Sequence, residues 1–180
     1  MSRLGKYPIE IPSGIKVSKE NEKVIVQGLK GSLERNILGH VDIEIENEKI
    51  WVKRKSDSKQ DKAYHGLYRA LIINMIIGIN IGFKKYLQIN GLGYKAEIKA
   101  EKLVLNLGFS HPVEVDIPLG IKISVEEKGT SVCVEGIDKE LVGKISAFIK
   151  SLKKPEPYKG KGIIYKGERI RRKVGKTGAA

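Results

Sequence analysis

The ten residues from Ile9 to Ser18, IEIPSGIKVS, return as VDIPLGIKIS from Val115 to Ser124. Every change between the two strings is conservative except Ser13 to Leu119. After a two-residue insertion the match resumes, with Val24-Ile25-Val26-Gln27-Gly28 set against Val132-Cys133-Val134-Glu135-Gly136. Further on, Asp61-Lys62, Gly66 and Ala70 align with Asp138-Lys139, Gly143 and Ala147. Three matches in the same order make two copies of one supersecondary unit, joined near Ile81 to Lys84. Two copies are too few for a solenoid, so the chain is a duplication.

Each copy reads as several short strands followed by one helix. Val41, Ile43 and Ile45 alternate with Asp42, Glu44 and Glu46, the period of a half-buried strand. A turn at Asn47-Glu48 sets Glu46 opposite Lys49 and Asp42 opposite Lys53, with Ile45 against Ile50 and Ile43 against Val52 on the other face. These acids therefore read as cross-strand partners, not catalytic carboxylates. In the second copy Leu141, Val142, Ile145, Phe148, Ile149 and Leu152 form one apolar helix face behind an Asp138 cap. Lys144, Lys150 and Lys153 fall off that face. Strands grouped ahead of a helix predict an α+β fold of two tandem duplicated domains. Each is a small, mostly antiparallel sheet packed against one helix. We place the first repeat at residues 1–82, the second at 83–154 and a basic tail at 155–180.

Composition narrows the setting. The single cysteine, Cys133, forms no intramolecular disulfide and lies in an apolar strand-like run, where it reads as a small buried hydrophobe. The opening residues lack the apolar core of a secretory signal. The most apolar stretch, Ala70 to Phe83, is interrupted by Asn74 and Asn80 and falls short of the roughly 20 residues of a membrane span. These features predict a soluble, intracellular protein.

The formal net charge is +13, and it is unevenly placed. From Lys153 onward ten basic residues face two acids, a net +8 in 28 residues that leaves +5 for the first 152. Pro155 and Pro157 end the preceding helix. Lys159-Gly160-Lys161-Gly162, Ile163-Ile164-Tyr165 and a basic block follow, with too few apolar residues for a core. Such an arm suits RNA. Lysines neutralise phosphates, arginines bind them bidentately, tyrosines stack on bases, and glycines admit a close backbone approach. A merely solvated basic tail is the bland alternative. A membrane-surface patch is disfavoured because the apolar residues follow no helical period.

Signals for an enzyme are slight. Gly91-Leu92-Gly93-Tyr94-Lys95-Ala96 matches the looser dinucleotide fingerprint, which requires a helix to open there. Tyr94, Ala96, Ile98 and Ala100 instead alternate as in a strand, so Gly91 and Gly93 read as a turn or bulge. Gly175-Lys176-Thr177 resembles the end of a P-loop, but Ile170 stands where the upstream glycine belongs. His40, His65 and His111 are isolated, without metal-ligand spacing, and read as surface or capping residues.

The segment Pro155-Glu156-Pro157-Tyr158-Lys159-Gly160-Lys161-Gly162-Ile163 resembles the signature of the bacterial-type large-subunit ribosomal protein six family. The resemblance extends to the opening Ser2-Arg3-Leu4-Gly5-Lys6-Tyr7-Pro8-Ile9, to Leu103–Val113, to Gly136-Ile137-Asp138-Lys139 and to Arg171-Arg172-Lys173, and so covers essentially the whole chain. It implies two duplicated α+β domains, no catalysis, no cofactor and no metal. It also implies binding to large-subunit ribosomal RNA near the stalk base and the sarcin–ricin loop, in the cytoplasm or a plastid. Neighbouring large-subunit proteins near the stalk base are the implied partners, with no membrane and no small-molecule substrate. Carried onto this chain, the RNA-contacting candidates are Tyr158, Lys159, Gly160, Lys161, Gly162, Tyr165, Lys166, Arg169, Arg171, Arg172, Lys173 and Lys176, with Lys53, Arg54 and Lys55 secondary. The alternatives are a free-standing basic nucleic-acid chaperone and a dinucleotide enzyme using the Gly91/Gly93 loop.

Overall fold

The computed structural model describes residues 7–175. It divides into two compact units, one running to Phe83 and taking in Ile137–Lys139, the other running from Lys84 to Gly136 and onward from Glu140.

The first unit contains β1 (Ile9–Glu10), β2 (Lys16–Glu20), β3 (Lys23–Gly28), β4 (Gly31–Asn36), β5 (Val41–Glu46), β6 (Lys49–Arg54) and α1 (Lys59–Asn80). Its strands form two three-stranded sheets, ordered β1-β6-β5 and β2-β3-β4. The β5–β6 hairpin has the register that the alternation predicts, with Asp42 facing Lys53, Ile43 facing Val52 and Glu46 facing Lys49. Asn47 and Glu48 both take positive φ, 49° and 59°, the mirror-image turn whose twist matches paired strands.

Helix α1 begins because the Ser58 side chain accepts a hydrogen bond from the Asp61 backbone N–H at 3.0 Å. Asp61, His65, Tyr68, Ile72, Met75, Ile76 and Ile79, three and four apart along one face, are buried, as is Gly78. That face closes a core with Val24, Val26, Val41, Ile43, Ile50 and Val52 of the strands.

His65 is part of this core, not a surface or capping residue. It is buried, and its Nε2 lies 2.7 Å from the Val52 carbonyl oxygen. Nε2 donates to that carbonyl, and the buried Nδ1 has no hydrogen-bond partner among the described residues. His40 likewise is engaged: its Nδ1 meets Asp61 at 2.7 Å and its ring stacks on Tyr64 at 4.6 Å. Hydrogen bonds from Ser56 and His40 hold the Asp61 carboxyl below its ordinary range.

The second unit contains β7 (Phe83–Asn90), β8 (Lys95–Lys99), β9 (Lys102–Asn106), β10 (Val113–Asp116), β11 (Ile121–Glu126), β12 (Ser131–Gly136), α2 (Lys139–Leu152) and β13 (Gly162–Tyr165). Its sheets are ordered β10-β9-β8 and β11-β12-β7-β13. The buried side of α2 is centred on Val142, Ser146 and Ile149, and Ser146 satisfies its hydroxyl on the Val142 carbonyl at 2.6 Å. Phe148, expected on the apolar face, is exposed. Cys133 is buried, as a small hydrophobe in that run should be.

The α+β class and the duplication hold, and the structure adds that the strands divide between two small sheets in each unit. It also shows that the copies are permuted. Ile9 of β1 faces Ile50 of β6, and its repeat partner Val115 of β10 faces Leu103 of β9. β2 and β3 pair antiparallel, as do their repeat partners β11 and β12. Thus β4, β5 and β6 follow the repeated strands in the first unit, whereas β7, β8 and β9 precede them in the second. The three intervening strands explain why the strand matches and the helix match sit at different sequence offsets.

Candidate nucleic-acid interface

The described residues beyond Lys153 are tied to the second unit and do not form a free arm. Ile163 is fully buried and Ile164 nearly so, because β13 adds to the edge of β7 with Ile163 facing Ile89 and Tyr165 facing Leu87. An apolar run too short to make a core of its own completes one supplied by distant residues.

The segment before β13 is a closed loop. The Glu156 N–H donates to the Lys161 carbonyl at 2.8 Å, and the Gly160 N–H donates to the Glu156 carbonyl at 3.0 Å. The Ile163 N–H reaches the Lys153 carbonyl at 2.8 Å and ties the loop to the end of α2. Gly162 has φ +139°, and a Cβ there would lie 2.7 Å from the Lys154 carbonyl oxygen. Gly160 has φ +71° beneath the Arg172 guanidinium, where a Cβ would lie 3.1 Å from Nη2. Both glycines are buried, and they shape the loop that presents its neighbours.

After β13 the chain crosses back. The Lys166 N–H donates to the Tyr86 carbonyl, and the Lys173 N–H donates to the Pro157 carbonyl, each at 2.9 Å. Glu168 holds the crossing: its carboxylate takes Lys150 Nζ at 2.5 and 2.7 Å and the Tyr165 N–H at 3.0 Å. The Lys150 ammonium and the Tyr165 N–H draw the Glu168 carboxyl below its ordinary value. Lys150 thus serves as an anchor for the crossing, with Tyr165 beneath its ammonium at 4.7 Å.

On this frame Tyr158, Lys159 and Lys161 stand exposed on the loop, and Lys166, Arg169, Arg171, Arg172 and Lys173 on the returning segment. Tyr165 is half-buried on β13. Lys176 lies outside the described residues. None of the described cations from Lys159 to Lys173 takes part in a salt bridge among the described residues. The loop and the returning segment therefore present positive charge that pairs with no carboxylate among the described residues, held in place by backbone hydrogen bonds. Such a surface can take several phosphates of one strand at once.

The secondary candidates differ. Lys53 pairs with Glu44 at 2.5 Å, and that carboxylate raises its pKa. Arg54 reaches Asp57 at 2.6 Å. Lys55 is exposed. Two of these three charges are thus spent within the first unit.

The Gly91/Gly93 segment is the turn between β7 and β8, closed by the Tyr94 N–H on the Gly91 carbonyl at 3.2 Å. A strand follows it, so no helix N-terminus is offered to a pyrophosphate. The dinucleotide reading fails there. Among the described residues no group of three His, Cys, Asp or Glu side chains is arranged to hold a metal ion, and no helix is long and apolar enough to cross a membrane.

Reading from sequence missed Lys84, Lys85 and Tyr86, which β7 brings beside Tyr165 and Lys166. The only signal for them is the Lys84-Lys85 pair at the head of an alternating run, and its meaning depends on β13 pairing alongside.

The family model described as Ribosomal protein L6 matches residues 11–82 and again residues 90–166. Among curated proteins, the large ribosomal subunit protein uL6 of Geobacter metallireducens is 53% identical over 178 residues, spanning 99% of each chain. That of Clostridium acetobutylicum is 53% identical over 179 residues, again 99% of each. The Borreliella afzelii protein of the same name is 51% identical over 178 residues, 99% of this chain and 98% of its own. With the duplicated α+β units and matches of this extent, the chain belongs to the ribosomal protein L6 family.

Proposed function

We propose that the chain acts as a structural, non-catalytic part of the large ribosomal subunit in the cytoplasm, where its second unit holds large-subunit ribosomal RNA near the stalk base and the sarcin–ricin loop. The relatives that match it end to end are named as large ribosomal subunit proteins, which supports the subunit. The observation that carries the RNA reading is the row of unpaired cations on the 155–175 segment, fixed by β13 and by the Glu168 clasp. Tyr158, Lys159, Lys161, Lys166, Arg169, Arg171, Arg172 and Lys173 are the contacts, joined by Lys176. Gly160 and Gly162, both buried, do not meet the RNA themselves but shape the loop that presents these side chains, and Tyr165 flanks it. Neighbouring large-subunit proteins near the stalk base complete the surroundings.

The test is cofractionation. In lysates resolved on a gradient, the tagged chain is expected to travel with large subunits, and Lys159→Gln/Lys161→Gln/Arg171→Gln to shift toward the free fraction. Migration with mixed RNA of all sizes would contradict this and indicate a free-standing nucleic-acid chaperone.

A further inference from the structure

Beside the basic loop, the second unit has a shallow open pocket lined by Lys84, Lys85, Tyr86, Tyr165 and Lys166. It sits where β7 begins and β13 ends, where the Lys166 N–H donates to the Tyr86 carbonyl at 2.9 Å. The family match on the second segment starts at residue 90, after the β7 residues of this pocket.

Its lysines are of two kinds. Lys84 is neutralised by Glu135 at 3.0 Å. Lys85 and Lys166 enter no salt bridge among the described residues and are held by aromatic faces instead. Lys85 Nζ lies 5.2 Å from the Tyr165 ring centroid, and Lys166 Nζ lies 5.5 Å from that of Tyr86. A ring face attracts an ammonium without removing its charge, and it leaves the N–H donors free. Lys150 also lies over the Tyr165 ring, at 4.7 Å. That ring is therefore engaged in positioning cations, which favours a phosphate over a stacked base.

We propose that Lys85 and Lys166 each seat an RNA phosphate at this edge of the sheet, with Tyr165 positioning Lys85 and Tyr86 positioning Lys166. The two seats extend the RNA surface from the 155–175 segment onto β7. They rest on the ribosomal RNA reading given above.

The experiment measures binding of the full-length protein to deproteinised large-subunit RNA across a salt series, by filter retention. Lys85→Gln/Lys166→Gln is expected to weaken binding about tenfold and to flatten the log–log salt slope by about 1.5, at 0.7–0.9 per phosphate contact. Tyr165→Phe should behave as the unaltered protein, and Tyr165→Leu should lose part of the affinity. Lys84→Gln, already neutralised by Glu135, should change affinity less than twofold. An unchanged affinity and slope in the double variant, with the unaltered protein still binding, would overturn the phosphate seats alone. An affinity loss with an unchanged slope would overturn them too, since the contacts would not be ionic. If the unaltered protein fails to bind the RNA, the broader reading falls, and the seats with it.

Discussion

In the first unit the sheet β2-β3-β4 stops at β4, whereas in the second the strand in the same place, β7, carries one more neighbour, β13. Most of the net charge lies in the segment that contains that strand, where residues 153–180 carry +8 of the chain's +13. Within the duplicated parts, cations face acids: Lys19 pairs with Asp42, Lys23 with Glu34, Lys53 with Glu44, Lys95 with Glu97 and Lys102 with Glu114. In the last turn of α2 Lys150 is clasped by Glu168, and the described cations from Lys159 to Lys173 enter no salt bridge among the described residues. The same fold thus serves once without such a segment and once as a mount for a run of open cations. Mounting matters because an ordered cation binds phosphate without the cost of being ordered first.

The comparison breaks most sharply at Ile163. Ile163→Ala should destabilise the second unit by about 2–5 kcal/mol, and it should weaken RNA binding because β13 holds the cationic segment. Ile50→Ala, equally buried in the first unit, should cost a similar amount of stability yet leave RNA affinity within about twofold where the protein remains folded. Thermal melts together with RNA titrations check both. Equal effects on RNA binding would mean that β13 is not the mount.

A smaller contrast uses two glycines. Gly162→Ala meets both a positive φ and a close backbone oxygen and should cost about 3 kcal/mol. Gly14, at φ +86° with open space around it, should cost about 1 kcal/mol on the same change. Denaturant unfolding separates the two values.

Glu168 gives a pH signature. Its folded pKa is depressed by Lys150 and the Tyr165 N–H, so its stabilisation is complete above the ordinary 4.5 and is lost as pH falls through the lower folded value. Glu168→Gln should therefore cost at most about 1 kcal/mol at neutral pH and almost nothing in strong acid. Melting followed from neutral to acidic pH tests this. A Glu168→Gln penalty unchanged at low pH would contradict the clasp.

Much of the first unit was legible because its information is local. The alternation from Val41 to Val52 fixed both the faces and the register of the β5–β6 hairpin, and the structure matches it pair for pair. The α2 face was legible for the same reason, apart from Phe148. The permutation of the copies was not, since similarity between strings does not say which strand lies beside which. β13 was also hidden: Ile163 and Ile164 look stranded in a basic tail until Leu87 and Ile89, far away in sequence, are placed opposite. His65 was within reach, for it falls on the same face as Tyr68 and Ile72, but an isolated histidine was read by type and not by position. At the interface the residue types were legible, while the division of lysines into neutralised and open ones needed the geometry.

The smallest expected effect is also the control for the most direct test, which is the salt dependence of binding to large-subunit RNA for two triple variants. Lys159→Gln/Lys161→Gln/Arg171→Gln removes open cations of the mount. Lys53→Gln/Arg54→Gln/Lys55→Gln removes cations of the first unit, two of them already paired. Unequal placement of usable charge predicts a log–log slope flatter by about 2 to 3 for the first variant and by less than about 1 for the second. Equal flattening in the two would show that RNA senses only total charge, and would contradict the account.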